Sequence, residues 1–210
     1  IQYVEDFGDS PTALELTLGT VRDSRDNILV PTRGAQQRLF AEWGLPVMDL
    51  EYYRLTYQHT RYLPLTSRIT LAGNVELGYG NSYGGKPYPI FKNFYVGGIN
   101  SVRGYETASL GPVDIFGTPL GGTRRLNFQT EVLTPLPGGD RTLRVFGFLD
   151  GGWVWGQDDN LSLSDLRYSA GIGISWISPL GPMKFSYAYP VNNKPGDKLQ
   201  RFQFSIGTGF

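Results

Sequence analysis

Residues 97–105 read Gly97-Gly98-Ile99-Asn100-Ser101-Val102-Arg103-Gly104-Tyr105. A glycine-rich loop with one embedded arginine suggests an anion cradle. A phosphate loop, however, needs a strand before it and a helix N-terminus after it, and no helical pattern follows. Arg103 therefore calls for another kind of partner. A guanidinium is a planar fork that suits carboxylates, and two acids have the right spacing. Glu131 shares parity with Asn127 and Gln129, opposite Leu126, Phe128 and Val132. Asp150 lies opposite the face made by Leu143, Val145 and Leu149. On neighbouring strands both acids would point to one interior. An arginine drawn into it would need them, because an unpaired buried charge is costly. The same pair reads equally well as two separately solvated acids, and spacing alone does not choose.

Other chemistries are closed off by composition. Cysteine is absent, which removes disulfides, thiolate metal sites and cysteine nucleophiles. His59 is the one histidine, so a histidine-rich metal centre is hard to build, and its lipid-side parity keeps it from serving a catalytic serine in the lumen or at the rim. Its parity, shared with Tyr53, Leu55 and Tyr57, suggests an interfacial residue whose head reaches toward water near Arg61. Lys plus Arg equals Asp plus Glu at 19 each, against nucleic-acid binding by bulk charge. No nucleotide motif occurs, and no cofactor or metal is expected.

The elements that must hold these residues are strands. The tail offers the clearest alternation: Phe202, Phe204, Ile206, Thr208 and Phe210 on one face, Arg201, Gln203, Ser205, Gly207 and Gly209 on the other. Tyr168 to Trp176, Met183 to Tyr189, Ile69 to Tyr79 and Leu14 to Leu18 alternate similarly. About nine strands follow, near 12–22, 35–45, 50–63, 67–80, 123–134, 141–155, 166–177, 182–190 and 200–210, with residues 1–5 as the stub of another. Many exceed the ~5–6 residues usual in soluble sheets and suit a tilted bilayer crossing. Glycine is 28 of 210 residues, nearly double the ordinary ~7%, and much of it lies with serine on the polar faces, which suits a crowded interior. No apolar run approaches the ~20 residues of a membrane helix, and no signal-peptide pattern opens the chain. A transmembrane β-barrel hides its hydrophobicity in alternation and needs neither.

Turn lengths agree with such a barrel. Those at 63–66, 134–140 and 178–181 are short, those at 156–165 and 191–199 longer and polar. Short turns belong on the periplasmic side and long loops outside. Residues 23–34 are long for a periplasmic connection, and the turn near Pro46 is tight for an outer one. The stretch from 81 to 122 exceeds any ordinary connection. Its Phe91, Phe94, Tyr95, Val96, Ile99 and Val102 are too apolar for a solvated tip, so it is expected to fold into the barrel interior. Trp43, Tyr62, Tyr79, Trp153, Trp155 and Trp176 are candidates for aromatic girdles.

Val102-Arg103-Gly104-Tyr105, after Asn93-Phe94-Tyr95-Val96-Gly97-Gly98, resembles the VRGY/F loop of the BamA family of outer-membrane assembly factors, whose relatives include TamA and the two-partner-secretion transporters. Residues 178–188 resemble that family's penultimate hairpin. Gly196-Asp197-Lys198 with residues 201–207 resemble its closing strand. Arg22-Asp23-Ser24-Arg25 and Pro31-Thr32-Arg33-Gly34 resemble a periplasmic turn. The likeness runs nearly end to end.

The resemblance implies an all-β fold, an antiparallel transmembrane β-barrel of roughly sixteen strands behind periplasmic POTRA domains. With about nine strands and no POTRA segment, residues 1–210 are expected to be the C-terminal part of such a barrel. It implies that Arg103 docks inside on Glu131 and Asp150, and that 200–210 form one side of a lateral seam, with Gly207 and Gly209 weakening its packing and Phe210 as terminal aromatic. It implies a non-enzymatic component of the outer-membrane assembly machinery. Expected partners are outer-membrane lipids and lipopolysaccharide, unfolded outer-membrane proteins and, through POTRA domains, Bam lipoproteins and periplasmic chaperones. The alternative is a two-partner-secretion pore or passive channel.

Overall fold

A computed structural model describes residues 12–136, 142–179 and 181–207. Nine strands form one antiparallel sheet: β1 (Glu15–Asp23), β2 (Gly34–Gly44), β3 (Tyr52–Pro64), β4 (Thr70–Ser82), β6 (Arg124–Pro135), β7 (Leu143–Trp155), β8 (Arg167–Ser178), β9 (Gly181–Pro190) and β11 (Phe202–Ile206). Two short strands, β5 (Gly104–Tyr105) and β10 (Leu199–Gln200), pair separately. Neighbours in the large sheet follow chain order, so every connection is a hairpin or a loop between adjacent strands. Among the described residues β1 and β11 each have one neighbour, and the sheet is open at both.

Alternation sets the two faces. On β7, Arg144, Phe146, Phe148 and Asp150 turn inward and are buried, while Leu149 between them is exposed. Phe202 and Phe204 are 57% and 58% exposed, which excludes a soluble sandwich built around them. Their rows continue across the outer face through Phe185 and Tyr187 of β9. The sheet curls: Arg144 on β7 donates to the Pro31 carbonyl, in the turn between β1 and β2, at 3.3 Å.

The interior is filled by aromatic rings lying over glycines. Phe146 and Phe148 cover Gly173 and Gly171 of β8, so closely that a Cβ on either glycine would collide with a ring and with β9 backbone. Phe94 covers Gly78 and Tyr88 covers Gly80 in the same way. Part of the segment 83–123 packs on this inner face. Phe94, Val96, Val102, Tyr105 and Leu110 cluster with Val154 of β7, whereas Phe91 and Tyr95 stay exposed. Burial differs along the loop: Phe94 and Val96 alternate with exposed Tyr95, whereas Ser101 to Tyr105 are buried in succession.

Three expectations change. The last strand does not run unbroken from 200. Leu199 and Gln200 pair with Tyr105 and Gly104, the main sheet resumes at Phe202, and Gly207 ends it in the left-handed region at φ 74°. Thr208, Gly209 and Phe210 lie outside the described residues, as do residues 1–5. Of the girdle candidates, Trp43, Tyr79 and Trp176 are exposed on the outer face. Tyr62 instead packs inward with Ala72, Leu133 and Phe146, because its parity is that of Gln58 and Thr60. Trp155 is buried with its indole N–H on Asp165, and Trp153 lies beneath the Arg167 guanidinium.

Because the Phe148 ring occupies the space beside Gly171, Gly171→Val is expected to overpack the interior and cost about 1–3 kcal/mol. A lowered urea midpoint for loss of the folded barrel's gel mobility checks this. An unchanged midpoint would show that the ring moves aside freely.

Candidate functional site

Loop geometry presents Arg103. Gly97 and Gly98 both adopt positive φ, at 116° and 96°, reversing the chain at Ile99-Asn100. The reversal is held by Gly98 N–H to Val102 carbonyl at 3.1 Å and Gly97 N–H to Ser101 Oγ at 2.8 Å. Gly104, at φ 89°, leads the chain away against Ala188 and Pro190, where a Cβ would be cramped. Between these glycines Val102 packs into the loop cluster and Arg103 extends to the wall.

The Arg103 side chain is fully buried. Its Nε and Nη2 donate to the two oxygens of Asp150, both at 2.6 Å, and its backbone N–H donates to the same carboxylate at 3.1 Å. Nη1 donates to Glu131 Oε1 at 2.6 Å. The guanidinium carbon stands 3.6 Å above the centre of the Phe148 ring. The register explains the convergence. Phe148 and Asp150 are two apart on β7, and Glu131 of β6 pairs directly with Phe148. One strand thus supplies the ring and the first carboxylate, and its neighbour the second.

Lys184 of β9 also donates to Glu131 Oε1, at 2.7 Å. It reaches across β8 and β7, passing 4.9 Å from the Phe146 ring, over a part of β8 where Gly171, Gly173 and Ser175 face inward. Two cations and two carboxylates balance. Such a set tolerates burial that a lone ion does not, because every charge faces an opposite one at hydrogen-bond distance. Alternation places Lys184 on the inner face, but the sequence analysis gives it no partner. Phe146 and Phe148 also escape it, although two apolar residues at inward parity were the available signal.

The loop is tied to the closing strand as well. Gln203 Nε2 of β11 donates to the Tyr105 carbonyl at 2.7 Å, and Glu106 N–H donates to the Lys198 carbonyl at 2.9 Å. On the outer face Phe202, Phe204 and Ile206 stand opposite Tyr187, Phe185 and Met183, with the Phe204 and Phe185 rings stacked at 6.3 Å. Among the described residues no group of acids or histidine has the arrangement of a metal site.

The Omp85 superfamily domain model matches residues 5–210. The chain belongs to the Omp85 superfamily. It is 43% identical to the outer membrane protein assembly factor BamA of Neisseria meningitidis serogroup B, over 92% of this chain and 28% of that protein. It is 26% identical to the sorting assembly machinery 50 kDa subunit of Saccharomyces cerevisiae, over 90% of this chain and 42% of that protein. The crystal structure of BamA from Haemophilus ducreyi lacking POTRA domains 1–3 matches it with a TM-score of 0.87 at 28% identity, covering 100% of this chain and 47% of that one. The chain therefore spans less than half the length of each of these relatives.

Within this Omp85 domain the two carboxylates are unequal. Asp150 takes three of the Arg103 N–H groups, Glu131 one. Asp150→Ala should strand the buried guanidinium and weaken loop docking by about 3–5 kcal/mol. Glu131→Ala leaves the two-pronged pair with Asp150 intact and should weaken it less. Limited proteolysis of residues 83–123 in the folded full-length protein gives the order. Equal protection in both variants and the parent would remove the ion cluster from any role in docking.

Proposed function

We propose that this chain supplies the C-terminal part of an outer-membrane β-barrel, and that the intact protein folds and inserts other β-barrel proteins into that membrane. The observation that carries the reading is the make-up of β11. It pairs with β9, presents Phe202, Phe204 and Ile206 outward and is tied by Gln203 to the docked loop. Addition of a substrate strand at such a strand would take affinity from main-chain hydrogen bonds and fit from alternate side chains. In lipid an open edge is costly, so the edge must close on another strand of the barrel or on a substrate. Gly207, just past β11, belongs to this seam.

Arg103, with Val102, Gly104 and Tyr105, locks the long loop inside through Glu131 and Asp150. Gln203 links that lock to the seam strand. The protein is not an enzyme in this reading. The work of insertion comes from the substrate, whose backbone groups become paired and whose apolar faces move into lipid. Outer-membrane lipids, lipopolysaccharide and unfolded outer-membrane proteins are its partners. Bam lipoproteins and periplasmic chaperones engage POTRA domains of the intact protein. The kinship with proteins named as assembly factors supports this reading over a transport pore.

The test is replacement of the cell's copy by full-length protein carrying Arg103→Ala. Porin levels in the outer membrane are expected to fall several-fold while the variant itself still reaches the membrane. Normal porin levels together with loss of one secreted protein would assign the chain to a secretion pore instead.

A further inference from the structure

The outer face of the sheet is interrupted at one place. From the short-turn end of β3 upward, the outward residues are Leu63, Arg61, His59, Tyr57, Leu55 and Tyr53. Arg61 and His59 thus lie inside an apolar row, with Leu63 and its partner Leu71 beyond them. The register carries the interruption sideways, for His59 pairs with Gln37 and Gln37 with Arg22. On the other side Arg61 pairs with Gly73, and a Cβ built there would meet nothing within 4 Å. The result is a notch of open space over Gly73 beside Arg61, continued by the polar row of His59, Gln37 and Arg22 across β3, β2 and β1.

Its charges are uncompensated. Arg22 and Arg61 are exposed, and neither has a hydrogen bond or ion pair among the described residues. Nδ1 of His59 is withdrawn from solvent and has no partner. Five inward cations, Arg54, Arg125, Arg103, Lys184 and Arg167, each face a carboxylate, and inward Arg144 donates to a carbonyl. The outer face of β1 to β4 carries no acid. Two free guanidiniums in an otherwise apolar wall need an anion that itself has apolar flanks.

We propose that this notch binds the phosphate of an anionic phospholipid of the periplasmic leaflet, whose acyl chains lie along Tyr57, Leu55 and Val75. The inference rests on the outer face standing in lipid, as the proposed function requires, and on short turns being periplasmic. Arg61 and Arg22 hold the phosphate oxygens, and His59 and Gln37 supply further polar contacts. The site lies six strands from β11 in the sheet order, far from the seam. It draws headgroups inward past Leu63 and Leu71, pinching the bilayer on this wall.

The test uses folded full-length protein in detergent, given phosphatidylglycerol or phosphatidylcholine with matched chains, and counts retained lipids by native mass spectrometry. The parent should retain phosphatidylglycerol in preference by about tenfold. Arg61→Leu with His59→Leu should abolish the preference. Gly73→Leu, which fills the notch and leaves both cations, should reduce it too, and Arg68→Ala in the adjacent turn should not. Equal retention of both lipids by the parent, or a preference that survives in both notch variants, overturns the site while leaving the membrane reading in place. Retention of neither lipid, in a protein that stays dispersed without detergent, would overturn the membrane reading itself.

Discussion

Burial of the Arg103 guanidinium is the constraint on which the rest of the interior is arranged. An arginine cannot shed its charge, so taking it out of water demands anions at fixed positions. The sheet can supply them only where inward parity, register and height coincide. Asp150 on β7 and Glu131 on β6 meet that condition because Glu131 pairs with Phe148, two residues from Asp150. The phenyl ring then covers a guanidinium face that can accept no hydrogen bond, and it adds a cation–π contact. Lys184 completes the balance from two strands further on. Loop, wall and charge set are parts of one arrangement, in which each buried cation faces a carboxylate.

The same arrangement explains where the inward glycines fall. Phe146 and Phe148 can lie flat only if β8 offers no side chains beneath them, and Gly173 and Gly171 provide that floor. Lys184 can cross β8 for the same reason. At the other end of the loop, Gly78 and Gly80 admit Phe94 and Tyr88. Glycine weakens a strand through lost packing and backbone entropy. Here part of that loss is offset by aromatic rings brought in from elsewhere in the chain.

Alternation made the architecture legible because each long strand divides its two environments residue by residue. Leu149 out and Asp150 in follow from parity alone, whereas parity leaves the meeting of Arg103 with both acids as one of two readings, and the family resemblance favours it. What parity cannot give is distance across the sheet. Lys184 and Glu131 sit on strands that are not neighbours, and only the curl of the sheet brings them together. Tyr62 and Trp155 show a second limit: an aromatic side chain suits a lipid interface, a packed interior (Tyr62) and the cover of a loop (Trp155) equally, and composition does not separate them. The break at Arg201 was hidden for a third reason. Leu199 and Gln200 continue the chemistry of a strand, but their backbone pairs with the loop instead of β9.

That break shows how the closing strand is held. The other pairs of the main sheet join over nine or more residues, whereas among the described residues β11 meets β9 over five. Its ladder on β9 is supplemented from inside, through β10 on β5 and Gln203 on the Tyr105 carbonyl, two residues from Arg103. A strand held in this way has its position set jointly by its sheet neighbour and by the docked loop. The loop contacts lie on the inner face, so they add to the positioning of β11 without drawing on its backbone edge.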